Sequence, residues 1–309
     1  MASPSTIAIL GPTAAGKSDL AVEVARRIGG EVVSIDSMQV YRDMDIGTAK
    51  PDAALCSRVP HHMLDLCDPE EEYSVAEFQE VGRLVMTSLR DANRPAVIAG
   101  GSGLHFRSLV DPLEFPPTDR LLRAELEAKP PADLSVELLA ADPAAGEQVD
   151  LANPRRVLRA VEVLRLTGET PSGRATTDTA GAVRSYEPLH AFIGIGLDPG
   201  DRLRLRAEQR LDGMLAAGLL GEVAGLAPRL GMTASQAVGY KELLTVVAGT
   251  GDLAVARDQA VAATMALAKR QRTFFRRDPR IDWLPWDDDP AVRCDMAWSR
   301  IEEQLSWTS

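Results

Sequence analysis

Short apolar runs alternate with amphipathic segments in the first third of the chain. The runs are TIAIL, EVVSID and PAVIAGG, and the segments between them show helical periodicity. In the longest of these segments, Ser74 and Glu77 have the spacing of a capping box that opens a helix. Near-continuous apolar strands that alternate with helices are typical of a parallel sheet covered by helices on both faces. The pattern therefore predicts an α/β core.

The pattern changes near residue 116. From there to about residue 186 the sequence has helical periodicity and proline punctuation but no strand-like run. Strand character returns in HAFIGIGLDP, and helical periodicity then continues to about Arg277. We predict a first part of the core in 1–115, an all-helical insertion domain in 116–186, and a second part of the core with C-terminal helices in 187–309.

Composition limits the possible classes of protein. The 309 residues are 45% hydrophobic and 26% charged, which is ordinary for a soluble globular chain. The net charge of −11 argues against nucleic-acid binding over the whole surface but allows a local basic face. Three scattered cysteines without metal spacing and the lack of an 18-residue apolar segment favour a soluble, cytoplasmic protein with no membrane segment. We expect a monomer.

A glycine-bounded loop follows the first predicted strand and precedes a predicted helix. It fits the pattern G-x-x-x-x-G-K-[ST] at every fixed position. Loop amides, the positive end of the helix and the lysine charge all favour a bound anion, and the serine hydroxyl can ligate Mg²⁺. This predicts a P-loop NTPase-like core that binds a di- or triphosphate, with Mg²⁺ as cofactor and Ser18 as its ligand. The predicted phosphate-binding residues are Gly11, Pro12, Thr13, Ala14, Ala15, Gly16, Lys17 and Ser18.

The identity of the phosphate compound is less clear from the residues alone. An NTPase usually has an acidic residue at the end of a further strand to hold Mg²⁺, whereas PAVIAGG ends in glycines. No Asn-Lys-x-Asp element is present for guanine. Asp36, at the end of EVVSID, is the carboxylate best placed to face the phosphates. It could act as a general base, hold a metal-bound water, or merely cap a turn.

Longer motifs resemble one enzyme family along nearly the whole chain. In order, they are GPTAAGKS, SIDSMQVYRDMDIGTAKP, PHHMLDLCDPEEEYSVAEF, IAGGSGLHFRSLV, NPRRVLRAVEV, AVGYKEL and KRQRTFFR. They follow one another as in bacterial tRNA dimethylallyltransferases, also called tRNA isopentenyltransferases. The block DSMQVYRDMDIGTAKP is far more specific than the phosphate loop. The chain has Ser102 where the family commonly has threonine, so the hydroxyl is retained.

The resemblance implies transfer of a dimethylallyl group from dimethylallyl diphosphate to N6 of adenosine 37 in the tRNA anticodon loop. The adenine amine is a poor nucleophile because its lone pair is delocalised, so a base must take its proton, and Asp36 is the candidate. Lys17, the loop amides and Mg²⁺ would stabilise the leaving diphosphate. By resemblance, Thr13 and Arg206 also contact the diphosphate, although Arg206 could instead be a solvated helix arginine.

Two segments concentrate positive charge, as a tRNA-binding face requires. KRQRTFFRRDPR has six basic residues and one acidic residue, and RRVLRAVEVLR places several arginines close together on one helix face. Phe274 and Phe275 either stack on an unpaired base or belong to the core. The resemblance also implies that the helical insertion domain, 116–186, binds tRNA. By resemblance, the tRNA-binding residues are Asp36, Ser37, Met38, Gln39, Ser102, Arg123, Arg155, Arg156, Arg159, Gln236, Gly239, Tyr240, Lys241, Lys269, Arg270, Gln271, Arg272 and Arg276.

Other functions remain to be distinguished. A P-loop small-molecule kinase or NTPase would use a triphosphate, and the basic segment from residue 269 could then be a lid. An adenylate isopentenyltransferase would use a free adenine nucleotide, for which the insertion and the two basic segments are surplus. A non-catalytic RNA-binding module leaves the phosphate loop and Asp36 unexplained. The expected partners are therefore the tRNA anticodon stem-loop and dimethylallyl diphosphate.

Overall fold

The structure, a computed structural model, describes residues 6–306. The chain divides into two compact units, of which the second is the continuous segment Asp111–Leu189. The first unit is formed by the chain on either side of that segment. The predicted insertion, 116–186, lies within the second unit, while residues 1–5 and 307–309 of the predicted core segments lie outside the described residues.

Within residues 6–306, the first unit contains six strands that form one sheet. They are β1 (Thr6–Leu10), β2 (Glu31–Ser34), β3 (His61–His62), β4 (Ala96–Gly100), β5 (Phe192–Gly196) and β6 (Ile281–Trp283). Their order across the sheet is β3-β2-β4-β1-β5-β6, and each neighbouring pair is parallel. The four strands expected from apolar runs are confirmed. The sequence did not predict β3 and β6, because two or three residues are too few to establish a pattern.

Helices flank the sheet and build the second unit. The first unit begins with α1 (Lys17–Ile28), α2 (Ala53–Arg58), α3 (Val75–Asp91) and α4 (Gly103–Val110). The second unit contains α5 (Arg120–Glu127), α6 (Pro131–Ala141), α7 (Pro154–Thr167), α8 (Pro171–Ala175) and α9 (Asp178–Arg184). The first unit resumes with α10 (Leu203–Ala216), α11 (Leu219–Leu226), α12 (Tyr240–Val247), α13 (Leu253–Phe275) and α14 (Pro290–Ser306). The predicted capping box at the start of α3 is confirmed, since Ser74 and Glu77 exchange side-chain to backbone hydrogen bonds.

Successive side chains of β1 enter two different cores of the first unit. Ile7 and Ile9 belong to one hydrophobic cluster, and Ala8 and Leu10 belong to the other. All four side chains are fully buried. Because successive residues of a strand point to opposite faces, helices must cover both faces of the sheet at β1. This double burial explains the near-continuous apolar runs in the sequence.

The second unit has its own small core with one buried carboxylate. Apolar side chains of α5, α6 and α7 form this core. Glu162 of α7 is 0% exposed and accepts hydrogen bonds from Arg159 at 2.7 Å, from Arg123 at 3.0 Å and from the Asp119 amide at 3.2 Å. Burial raises the pKa of Glu162, but these hydrogen bonds outweigh it and the pKa lies below its ordinary value.

We expect Glu162→Ala to destabilise the second unit by about 3 kcal/mol, because the change leaves two guanidinium groups without their buried acceptor. Hydrogen–deuterium exchange of α5 and α7 amides should then accelerate by about 100-fold. Glu125→Ala is the matched control, because Glu125 is exposed and its ion pairs with Arg165 and Lys129 lie at the surface. Equal exchange rates in the two variants would contradict a structural role for the buried carboxylate.

Candidate active site

The phosphate loop connects β1 to α1 at the carboxyl edge of the sheet. Positive φ angles at Ala14 (60°) and Gly16 (79°) turn the chain into the first turn of α1, whose amides have no helical acceptor. A Cβ atom on Gly11 would lie 2.1 Å from the carbonyl oxygen of Leu197, which follows β5. Glycine is therefore required at this position, because no side chain fits between the loop and the end of β5.

The ends of three other strands bring polar residues to the same edge. Asp36 follows β2, Ser102 follows β4 and Asp198 follows β5. The chain passes from β1 to β2 on one side of the sheet and later returns to β5 on the other side of β1. In open parallel sheets, such a switch point forms a crevice that binds ligands. The sheet topology thus places the phosphate loop and Asp36 at one crevice.

Asp36 is half-buried and held in a turn. Its Oδ1 atom accepts a hydrogen bond of 2.9 Å from the Met38 amide, and its own amide donates to the Ser34 hydroxyl at 3.3 Å. Within residues 6–306, its Oδ2 atom accepts no hydrogen bond and forms no ion pair. Burial lowers the pKa values of Lys17 and Arg210, and the negative charge of Asp36 opposes this shift, so the carboxylate acts electrostatically on the two cations at the loop.

Three basic side chains surround the loop and bond to it instead of to carboxylates. Lys17 Nζ donates to the Pro12 carbonyl at 2.6 Å, and Arg206 Nε donates to the Ala14 carbonyl at 2.7 Å. An Arg210 NH group lies 3.4 Å from the Thr13 hydroxyl. Among the described residues, none of these three cations forms an ion pair with an acidic side chain. Arg206 and Arg210 thus both lie at the loop, while the predicted contact of Arg206 with the diphosphate stays a prediction.

Burial and mutual repulsion shift the pKa values of these cations. Burial, followed by the charge of Arg210, lowers the pKa of Lys17 to about 7, with Asp36 opposing the shift. Burial also lowers the pKa of Arg210. For Arg206, burial and the nearby charge of Arg293 lower the pKa. Like charges held together without counter-charges are typical of a site for a multiply charged anion.

Two cavities lie at this edge, and Arg210 lines both. The larger, about 770 Å³, is also lined by Gly16, Lys17, Ser18 and Arg206. The smaller, about 240 Å³, has apolar walls from α10, α11 and α13 and is also lined by Asp36. Several predicted residues line this smaller cavity, namely Thr13, Asp36, Ser37, Met38, Gln236, Gly239, Tyr240 and Arg270. Lys241, next to this set, is exposed. One cavity is therefore basic, while the other combines a carboxylate with apolar walls.

A half-buried carboxylate that the sequence patterns did not identify holds the segment after Asp36. Glu222 of α11 accepts hydrogen bonds from the amides of Asp45 at 3.0 Å, Ile46 at 2.7 Å and Gly47 at 3.0 Å. It also accepts one from the hydroxyl of Tyr240, which is fully buried. Glu222 lies in the apolar stretch LLGEVAGL, about 180 residues from the amides it binds, and no motif marks it.

The side chain of Gln39 also forms its hydrogen bonds within the protein. Its Oε1 atom accepts from the Ser34 hydroxyl at 2.8 Å, and its Nε2 atom donates to the carbonyls of Thr48 and Ala49 at 3.2 Å each. The side chain is 8% exposed. Its contact with tRNA stays a prediction, whereas its role in fixing the segment is visible.

Ser102 is paired with a half-buried histidine. Its Oγ atom lies 2.6 Å from Nδ1 of His105, whose ring packs edge-on against Phe78 with centroids 4.4 Å apart. Burial lowers the pKa of His105 to about 4, and the charge of Asp36 opposes this shift only partly. The imidazole is therefore neutral near pH 7.

Some residues of the basic segment on α13 are exposed, whereas others are already bonded to groups within the protein. Lys269 and Arg270 are exposed. Arg272 and Arg276 both pair with Asp198, at 2.7 Å and 3.2 Å, and the Asp198 side chain is 8% exposed. Gln271 accepts a hydrogen bond of 2.8 Å from the Thr13 amide, so it supports the phosphate loop.

The two phenylalanines of this segment also differ. Phe275 is fully buried in the main core. Phe274 is 37% exposed and packs against Gly103, where a Cβ atom would lie 2.1 Å from its ring. Of the two interpretations of the sequence, membership of the core therefore holds for Phe275.

The second unit contains the remaining predicted tRNA-binding residues. Arg155 and Arg156 are exposed at the start of α7. Arg159 and Arg123 are anchored to Glu162 as described above. A cavity of about 470 Å³ in this unit is lined by Arg155, Arg156 and Arg159 together with Arg174.

The residues present can accommodate Mg²⁺ with few protein ligands. Ser18 is exposed at the larger cavity, and its hydroxyl is the type of hard oxygen donor that Mg²⁺ accepts. The described part of the chain has no cluster of three or more acidic, histidine or cysteine side chains that could hold a metal. Most ligands would therefore have to be phosphate oxygens and water.

In residues 6–306, no helix is both long and apolar enough to cross a membrane.

The fold and site together define a class: a phosphate-loop α/β protein with a helical insertion, whose anion site adjoins a carboxylate. Comparison with known proteins specifies the family. The sequence model described as "IPP transferase" matches residues 39–278. The tRNA dimethylallyltransferase of Streptomyces coelicolor is 44% identical over 289 residues, which cover 91% of this chain and 90% of that protein.

Two solved structures extend this similarity to three dimensions. The tRNA delta(2)-isopentenylpyrophosphate transferase of Staphylococcus epidermidis has a TM-score of 0.72 and 31% identity, covering 99% of this chain and 100% of that chain. The full-length tRNA isopentenylpyrophosphate transferase of Bacillus halodurans has a TM-score of 0.68 and 34% identity, covering 98% and 99%. The chain belongs to the IPP transferase family, and the resemblance seen in the sequence motifs is confirmed.

We expect the half-buried His105 to make folding sensitive to mild acid. Its pKa of about 4 in the folded protein lies below the ordinary value of about 6.5 in an unfolded chain. Between these values the unfolded state binds more protons, so the stabilising contribution is complete above pH 6.5 and is lost as the pH falls toward 4. From pH 7 to pH 5 the free energy of unfolding should fall by about 2 kcal/mol more in the parent than in His105→Asn. Urea denaturation at both pH values measures this difference. An identical decrease in the free energy of unfolding of the two proteins would contradict the conclusion that His105 is neutral in the folded protein.

Proposed function

We propose that this protein transfers a dimethylallyl group from dimethylallyl diphosphate to N6 of adenosine 37 in the tRNA anticodon loop and releases diphosphate. One observation supports this most directly: a basic phosphate cavity and a cavity containing Asp36 share Arg210 at one edge of the sheet. Relatives named tRNA dimethylallyltransferase and solved tRNA isopentenylpyrophosphate transferases support the reaction class. A tRNA acceptor implies action in the cytoplasm, and a monomer remains our expectation.

The donor would bind with its diphosphate on the phosphate loop. Lys17, Arg206 and Arg210 lack acidic partners among the described residues and can each supply positive charge to it. As the allylic C–O bond breaks, its electron pair remains on the diphosphate oxygen. The fixed cations stabilise that developing charge without having to reorganise. When bound at Ser18 and the phosphate oxygens, Mg²⁺ would neutralise further negative charge.

The acceptor adenine would enter the smaller cavity. The base must leave its loop stack to reach it, as in other enzymes that act on a base. Apolar side chains of Leu211, Met214 and Leu219 line this cavity and can pack against the allyl group or the purine. N6 then forms a bond to the allylic carbon and gives its proton to the carboxylate of Asp36, for which Oδ2 has no competing hydrogen bond in the described chain.

The exposed basic residues Lys269 and Arg270, together with Arg155 and Arg156 of the second unit, would contact tRNA phosphates. Arg272 and Arg276 would contribute less, because Asp198 already neutralises part of their charge. Local basic groups of this kind reconcile tRNA binding with a net charge of −11.

The direct test is incubation of unmodified tRNA with labelled dimethylallyl diphosphate, followed by nucleoside analysis. Label should appear on adenosine 37. Replacement of the donor by ATP tests the kinase or NTPase alternative, and replacement of tRNA by AMP tests the adenylate alternative. Phosphoryl transfer from ATP, or prenylation of AMP with none of tRNA, would contradict the proposal.

Asp36→Asn should reduce the rate of transfer at least about 100-fold, because an amide cannot take the N6 proton. Asparagine retains an oxygen for the Met38 amide, so the turn should survive. Affinity for inorganic diphosphate should be unchanged or higher, since a nearby negative charge is removed. Single-turnover kinetics and diphosphate titration measure the two effects. Asp43→Asn is the matched control, because Asp43 lies in the same motif but pairs with Arg229 at the surface. A rate within several-fold of the parent would show that Asp36 is not the base.

Changing Lys269 and Arg270 together to Ala should weaken tRNA binding and flatten its salt dependence. The log–log slope should fall by roughly 0.7 to 0.9 for each phosphate that the variant no longer neutralises. Filter binding at several salt concentrations measures the slope. Arg257→Ala is the control, since Arg257 lies on the same helix but pairs with Asp212. An unchanged slope would place the tRNA elsewhere on the protein.

A further inference from the structure

A further arginine reaches the start of α1 from the C-terminal helix. Arg293 lies in the first turn of α14 and is 5% exposed. Its NH2 atom lies 3.5 Å from the position that a Cβ atom on Gly16 would occupy, and the NH2 atom of Arg206 lies 3.4 Å from the same position. Two guanidinium groups therefore converge on the residue that precedes α1. The matched family region ends at residue 278 and does not include Arg293.

This arrangement is electrostatically unfavourable by itself. Arg293 sits at the positive end of its own helix and near the positive end of α1. Its charge also helps to lower the pKa of Arg206, after burial. Among residues 6–306, no acidic side chain forms an ion pair with either arginine. The two guanidinium groups are thus held close together without a paired carboxylate in the described chain, and the charges of Asp288 and Asp19, which form no ion pair with them, oppose their repulsion at Arg206.

The acidic residues near Arg293 in sequence are engaged in other contacts. Asp295 pairs with Arg27 at 3.5 Å. Asp287 accepts from the Asp289 amide at 2.8 Å, and Asp289 in turn accepts from the Ala291 amide at 2.8 Å. Asp288 accepts from the indole of Trp286 at 3.0 Å and pairs with Arg202 at 3.4 Å. The last three carboxylates build the turn before α14, and none of the four is directed at Arg293.

Two contacts fix the Arg293 side chain and leave one end facing the loop. Its NH1 atom donates to the Asp287 carbonyl at 2.6 Å. Its guanidinium carbon lies 4.4 Å from the ring centroid of Trp286, and that of Arg206 lies 5.0 Å from the same ring. Such cation–π contacts hold both arginines in place. The NH2 atom of Arg293 has no hydrogen-bond acceptor among the described residues.

We propose that Arg293, Arg206 and Trp286 form a subsite for the terminal phosphate of the donor diphosphate, with Arg293 as a diphosphate-binding residue. This subsite rests on the proposed function. The terminal phosphate is the one farther from the reacting carbon, which must lie near Asp36. Asp36 lines the smaller cavity, whereas Arg206 lines the larger cavity and not the smaller one. Arg293 approaches the same Gly16 position as Arg206. Arg206 and Arg293 therefore serve the side of the loop away from Asp36.

Titration with inorganic diphosphate tests this subsite in the complete chain. Arg293→Met keeps an apolar stem but removes the charge, and we expect the dissociation constant to rise about tenfold or more, because charge-assisted hydrogen bonds to phosphate are strong. Arg300→Met is the matched control on the same helix, since Arg300 is exposed and pairs with Asp282 and Glu303. The control should bind diphosphate within twofold of the parent. An unchanged dissociation constant in Arg293→Met would overturn the proposal.

Thermal unfolding distinguishes ligand binding from a purely structural role. Without diphosphate, Arg293→Met should unfold at or above the Tm of the parent, because charge repulsion is relieved. Added diphosphate should raise its Tm by less than it raises the Tm of the parent. A lower ligand-free Tm combined with an unchanged diphosphate-induced increase would overturn the subsite.

Two further comparisons keep the test decisive. If Arg293→Met does not fold, Arg293→Lys retains the charge but loses the planar fork, and weaker diphosphate binding at a parent-like Tm would support the subsite, whereas parent-like binding would overturn it. A parent protein that binds diphosphate but does not prenylate tRNA would contradict the proposed function alone. A parent that prenylates tRNA, with diphosphate affinity unaffected in Arg293→Met, would contradict the subsite alone.

Discussion

Positive charge without matching negative charge at the start of α1 is the constraint on which the rest of this structure depends. Lys17, Arg206, Arg210 and Arg293 converge there, and each bonds to backbone or hydroxyl oxygens or stacks on an indole instead of pairing with a carboxylate of the described chain. Burial, followed by the charge of Arg210, lowers the pKa of Lys17. An anion with at least two charges would relieve the repulsion among these cations, and the diphosphate of the proposed donor carries that charge.

The parallel sheet explains why Asp36, the proposed base, lies at the same edge as the phosphate loop. Strand ends of β1, β2 and β4 meet at one edge, so the phosphate loop, Asp36 and Ser102 become neighbours although they are far apart in sequence. The chemistry then needs little more than a fixed turn for Asp36 and a segment held in place around the acceptor cavity. Glu222 supplies the second requirement through three backbone amides. A fold that typically binds nucleotides can thus support the proposed alkyl transfer without any element that recognises a nucleobase in the donor.

Local patterns in the sequence were sufficient for four of the six strands in the described chain, for the strand and helix on either side of the phosphate loop, and for the capping box of α3. Each of these features depends on residues close together in the chain, such as the apolar run before Gly11 or the capping box at Ser74. The missed features depend on long-range contacts. Glu222, His105 and Arg293 acquire their roles from partners that only the folded chain brings near, and Asp198 turns two predicted tRNA contacts partly inward. No spacing rule marks such residues.

The central claim is that the crevice holds an allylic diphosphate with its carbon end directed at Asp36. A crystal structure with a non-reactive thio analogue of dimethylallyl diphosphate and an anticodon stem-loop tests it most directly. We expect the two phosphates on the loop at residues 11–18, the allyl group between Arg210 and Asp36, and an extruded adenine beside the carboxylate. A diphosphate bound away from this loop, or an adenine that does not reach Asp36, would contradict the account.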